Sequence, residues 1–68
     1  MTGGTYRRLS GTLRLNGRSP ILEAVEDGLI RLKTKEDLSA FADMAVTVEG
    51  DIRSPTLMDL VWIGLSPV

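Results

Sequence analysis

Over residues 6–15 the chain alternates with period two, with Leu9, Gly11, Leu13 and Leu15 on one side and Arg8, Ser10, Thr12 and Arg14 on the other. That is the pattern of a half-buried β-strand. Gly11 removes a side chain from its middle, where the strand bends or another backbone comes close. Asn16-Gly17-Arg18-Ser19-Pro20 then supplies a turn, Asn-Gly being a strong hairpin signal. A second strand is expected over residues 21–25 and a third over 29–33, joined by a three-residue loop, Glu26-Asp27-Gly28. Counting outward from that loop pairs Val25 with Leu29, Ala24 with Ile30, Glu23 with Arg31, Leu22 with Leu32 and Ile21 with Lys33. Leu22, Ala24, Ile30 and Leu32 then share the inner face, and Glu23 meets Arg31 on the outer one. A two-residue loop would set Glu23 opposite Leu32 and mix charge into the inner face, so the longer loop is preferred.

The period changes after Lys33. Leu38, Phe41 and Ala42 stand at helical spacing, and Thr34 or Asp37 can cap the start of a helix of about two turns. So short a helix does not hold itself up in water, and Phe41 is expected to plug the interior from it. Alternation resumes over residues 45–50 with Val46 and Val48 inward, and a turn is expected over 51–55. The last strand, 56–65, is apolar almost throughout, and alternation alone does not assign its faces.

These elements define the expected fold class: mainly β, a small five-stranded OB-fold-like barrel with one short helix between strands 3 and 4. A sheet this small leaves open edges unless it closes on itself. The chain divides into a flexible N-terminus at 1–5, a single barrel domain at 6–65 and a tail at 66–68. Leu13-Arg14-Leu15 before the Asn-Gly turn, Asp27-Gly28, Leu32, Asp37-Leu38, Val46-Thr47-Val48-Glu49-Gly50 and Leu57-Met58-Asp59-Leu60 together resemble a group of small bacterial OB-like domains of unknown function. The likeness consists of core positions and turns, so it implies a fold and no active residues. The chain is also similar in size and strand order to bacterial translation initiation factor 1, through Gly11-Thr12 and Val46-Thr47-Val48-Glu49. That factor is basic and binds ribosomal RNA, whereas this chain carries a net charge of −1.

Composition narrows the chemistry. With no cysteine and no histidine, the chain lacks thiolate nucleophiles, imidazole bases and the usual zinc ligands. No catalytic residue, metal ligand or cofactor is assigned. Glu26 with Asp27, and Glu36 with Asp37, are adjacent acids at turns, where local capping explains them. No apolar run is long enough for a membrane span, and a cytoplasmic, non-enzymatic protein is expected. All nine acids lie after residue 18, with half of the eight bases. Among the three aromatics, Phe41 reads as core, Trp62 as core or rim, and Tyr6 as the opening of strand one.

The outer face of strands one to three is where an OB-like domain usually receives a ligand. In the expected register it carries Ile21, Val25 and Leu29, the candidate face for a protein partner or a homodimer. It also carries Arg8, Arg14, Arg31 and Lys33, the candidate face for the alternative, weak sequence-tolerant binding of single-stranded nucleic acid.

Overall fold

The alternating first half of the chain forms three strands, β1 (Thr5–Asn16), β2 (Ser19–Ala24) and β3 (Gly28–Lys33). Two more, β4 (Ala45–Ser54) and β5 (Leu57–Leu65), complete a mainly β chain. The structure is a computed structural model and describes residues 5–16, 19–26 and 28–66. Gly17 and Arg18 of the first turn, Asp27 of the second, residues 1–4 of the expected flexible N-terminus and residues 67–68 of the expected tail lie outside the described residues. Thr5, expected in the flexible N-terminus, is the first residue of β1.

The five strands join edge to edge in a closed ring, β1-β2-β3-β5-β4, with β4 returning to β1. All neighbours are antiparallel except β3 and β5, which run parallel. β1 belongs to both sides of the ring, pairing with β4 from Thr5 to Thr12 and with β2 from Gly11 to Asn16. The change of partner falls on Gly11, where a Cβ would stand 2.2 Å from the Glu23 carbonyl oxygen. Only glycine lets the two backbones approach so closely.

Inside the ring Leu13, Leu22, Val46, Val48 and Met58 are fully covered, with Leu9, Ile30, Leu32 and Leu38 nearly so. Each covered leucine, isoleucine or valine side chain is worth roughly 1.5–3 kcal/mol relative to exposure. The expected inner face of β2 and β3 is therefore the observed one. The hairpin register differs: Ile21 pairs with Arg31, Leu22 with Ile30, Glu23 with Leu29 and Ala24 with Gly28. The slip is by two residues, so every side chain keeps its face while its cross-strand partner changes. The loop still holds three residues, but they are 25–27, and Gly28, with φ of 76°, leaves the loop to open β3.

The connection between β3 and β4 corrects an expectation: there is no helix over residues 34–44. Ser39–Phe41 makes a lone 3-10 turn. Side chains there take the backbone donors that an α-helix would use. Thr34 Oγ1 accepts the Glu36 N–H at 3.1 Å, and Asp37 Oδ1 accepts the Ser39 N–H at 3.0 Å. At the far end Asp43 turns left-handed with φ of 61°. Its N–H donates to the Leu13 carbonyl at 2.7 Å, and the Leu13 N–H donates to the Met44 carbonyl at 3.1 Å. The segment is thus a single 3-10 turn tied to β1, with no α-helix. Leu38, 4% exposed, fills the interior from this connection, while Phe41 packs against it only partly buried.

β4 continues through the expected turn to Ser54, so residues 51–54 are strand. β5 resolves its own faces by a bulge. Glu49 pairs with Trp62 but Gly50 pairs with Leu60, leaving Val61 as the extra residue. Leu60 before the bulge and Ile63 after it therefore both turn toward the core. At Gly50 a Cβ would stand 2.1 Å from the Asp59 carbonyl oxygen, so the bulged strand presses directly on the β4 backbone.

Candidate binding faces

Paired residues of neighbouring strands share a face, so the register builds the outer surface row by row. One row crosses Thr12, Glu23 and Leu29. The next crosses Arg14, Ile21, Arg31 and Leu57. Ile21 is half-buried between two arginines, and Leu29 is 60% exposed beside Glu23. Val25, 81% exposed, leaves this ladder for the loop. Its N–H donates to the Ser10 carbonyl at 3.0 Å, which turns it toward β1. There, with Arg7, Arg8, Leu9, Ser10 and Glu26, it lines an open cleft of about 370 Å³. Ile21 and Leu29 share a face, and Val25 borders a neighbouring one.

The four candidate bases divide in the same way. Arg14 reaches two acids, Glu23 at 3.2 Å and Asp43 at 2.8 Å, and both raise its already high pKa, Asp43 most. Glu23 thus answers Arg14 across β1 and β2, not Arg31 across the hairpin. Arg8 stands beside β4, where its Nη2 lies 2.8 Å from Glu49 Oε2 and its Nε donates to the same oxygen at 3.0 Å. Arg31 and Lys33 form no ion pair among the described residues, and both are exposed on β3.

A second outer surface, on β1, β4 and β5, was not singled out from the sequence. Its row crosses Arg8, Glu49 and Trp62. The Tyr6 hydroxyl donates to Glu49 Oε1 at 2.8 Å. With both oxygens engaged, first by Tyr6 and then by Arg8, the Glu49 carboxyl is held below the ordinary glutamate range. The same bond raises the Tyr6 phenol, since ionising it would remove the donor and set two anions together. Further along β5, the Trp62 indole lies over Gly64, where a Cβ would come within 2.6 Å of the ring. Trp62 remains 50% exposed. Its signal in the sequence was the Trp-x-Gly spacing, which puts an aromatic ring and a bare backbone on one face of a strand.

The comparisons with known proteins bear on all of these surfaces together. A family described as a protein of unknown function, DUF5818, matches residues 10–66. The chain belongs to the DUF5818 family. Comparison with curated proteins and with solved structures gives no match. The DUF5818 match takes in all of β2 to β5 and the greater part of β1, so Ile21, Leu29, Arg31, Lys33 and Trp62 lie within it and Tyr6 and Arg8 lie before it. No helix among the described residues of this DUF5818 domain is long and apolar enough to cross a membrane.

Proposed function

We propose that this domain is a small OB-like, non-enzymatic binding module whose β1–β3 side makes a protein contact, through Leu29, Val25 and the rim of Ile21. The ring order, the parallel β3–β5 seam and the single turn between β3 and β4 support the OB-like reading. One observation carries the contact. Val25 and Leu29 are exposed to 81% and 60% in a chain whose buried apolar core is nine residues among those described. Large apolar side chains left at a surface on adjoining faces, Leu29 on one and Val25 on the next, are what a protein partner covers. The bases that would favour nucleic acid are partly spent, Arg8 on Glu49 and Arg14 on Glu23 and Asp43.

A photo-crosslinking residue at position 25 or 29 tests the contact. It should give one discrete adduct that Leu29→Glu removes while the circular dichroism stays unchanged. Absence of any adduct at either position defeats the reading. The second reading, weak single-stranded nucleic-acid binding, rests on the two bases that form no ion pair among the described residues, Arg31 and Lys33. It takes precedence if labelled oligonucleotides bind at low salt and Arg31→Ala with Lys33→Ala flattens the salt slope.

A further inference from the structure

β5 has two edges, and only one is fully used. β4 runs along it from Leu57 to Leu65, whereas β3 accompanies the opposite edge over three pairs, at Leu57, Met58 and Asp59. From Leu60 to Leu65 no strand among the described residues lies beside that second edge. An open edge is a template for another extended chain, and proteins ordinarily guard one with charge. Here the sequence is Leu60-Val61-Trp62-Ile63-Gly64-Leu65, without a single charge. Val61, Trp62 and Leu65 are exposed to 62%, 50% and 57%. Along Leu60 to Ile63 the edge lines a cleft of about 180 Å³ together with Thr34 and Glu36.

We propose that this edge pairs with the same edge of a second copy, antiparallel about a two-fold axis at Ile63, so that two rings share one continuous sheet. The segment is complementary to itself in that register. Trp62 of one copy pairs with Gly64 of the other, so that the two indoles, each lying over its own Gly64, meet across the seam. Val61 meets Leu65, and the bulge at Val61 ends the ladder. An uncharged strand meets its copy without repulsion, and a two-fold contact satisfies both edges at once. This surface is separate from Val25 and Leu29, which remain free in the dimer.

Sedimentation velocity over a range of concentrations should show a monomer–dimer equilibrium, with emission of the sole tryptophan shifting to the blue as concentration rises. Leu65→Lys alone and Val61→Glu alone should each weaken association about tenfold or more, by setting a charge against an apolar partner. The double variant should recover association, because the introduced lysine of one copy then faces the introduced glutamate of the other. Leu29→Glu should leave the equilibrium unchanged. In the parent, amide protection at Ile63 and Leu65, whose N–H groups point away from β4, should rise with protein concentration, a readout that needs no variant to fold. A parent that stays monomeric, a double variant no better than the singles, or protection independent of concentration overturns the proposal.

Discussion

The β2–β3 hairpin and β5 build the same wall of the ring from opposite kinds of sequence. In the hairpin, apolar and polar residues alternate, and the interior receives Leu22, Ile30 and Leu32 while Leu29 and Arg31 face outward. In β5 nearly every residue is apolar, and the interior receives Met58, Leu60 and Ile63, a set that no single alternation produces. The hairpin writes its faces in its own composition. β5 borrows them from β4, through a bulge that Gly50 permits. Alternation fixes a face against error, whereas a uniformly apolar strand leaves the face to its neighbour.

The largest effect that should separate the two sides of the hairpin is truncation. Leu22→Ala empties a fully covered position and should cost roughly 2–5 kcal/mol in denaturant unfolding, whereas Leu29→Ala on the outer side should stay within about 0.5 kcal/mol. Equal costs would mean that the alternation does not decide what is buried. The β3–β4 connection gives the next contrast. Leu38→Ala should destabilise more than Phe41→Ala, although phenylalanine is the larger side chain, because Leu38 is the one enclosed. The reverse order of melting temperatures would return Phe41 to the role of plug.

Two glycines sharpen the comparison at smaller cost. Gly50→Ala drives a Cβ into the Asp59 carbonyl, so a backbone has to shift, at about 1–3 kcal/mol. Gly28→Ala meets nothing within 4 Å and bears only the strain of its left-handed backbone, about 1 kcal/mol. If Gly50→Ala is the milder of the two in thermal melts, β4 does not dictate the bulge in β5.

The smallest effect is electrostatic, on the β1–β4 side. Glu49 has a lowered pKa in the folded chain, so its contribution to stability is complete above the ordinary glutamate range and disappears as pH falls through the lowered value. Tyr6 has a raised pKa, so its contribution is complete below the ordinary tyrosine value of 10.0 and disappears as pH rises through the raised one. Glu49→Gln should flatten both limbs of a plot of melting temperature against pH. A variant curve parallel to the parent's would remove Glu49 from the account.

What could be read from the chain follows the same division. The inner residues of β1 to β3, Val46 and Val48 of β4 and the close approach at Gly11 were legible, because period two is a local signal, whereas residues 51–54 of β4, with Ile52 against the core, read as a turn. The hairpin register was legible only in parity. Both candidate loops hold three residues and bury the same side chains, so nothing in the pattern distinguishes a slip of two. The helix was misread because Leu38, Phe41 and Ala42 satisfy helical spacing, while the bonds that override it, from Asp43 and Met44 to Leu13, join residues distant in sequence. Of the candidate faces, Leu29 and Ile21 were found together. The pairing of Arg8 with Glu49 was hidden, because it depends on β1 leaving β2 at Gly11 and passing to β4.

That passage from one partner to the other also sets the order in which the chain can be completed. β1, β2 and β3 meet through short turns and lose little chain entropy in doing so. The seam between β1 and β4 joins residues such as Tyr6 and Glu49, 43 positions apart. Contacts of that span reward the chain only after most of it has been ordered, which slows folding relative to a helical domain of equal length. Until the seam is made, the uncharged end of β5 has no ring behind it and is exposed to other unfinished chains. Refolding yield should therefore fall as protein concentration rises, and the first strand, though its far end is polar and solvent-facing, is the part whose arrival ends that exposure.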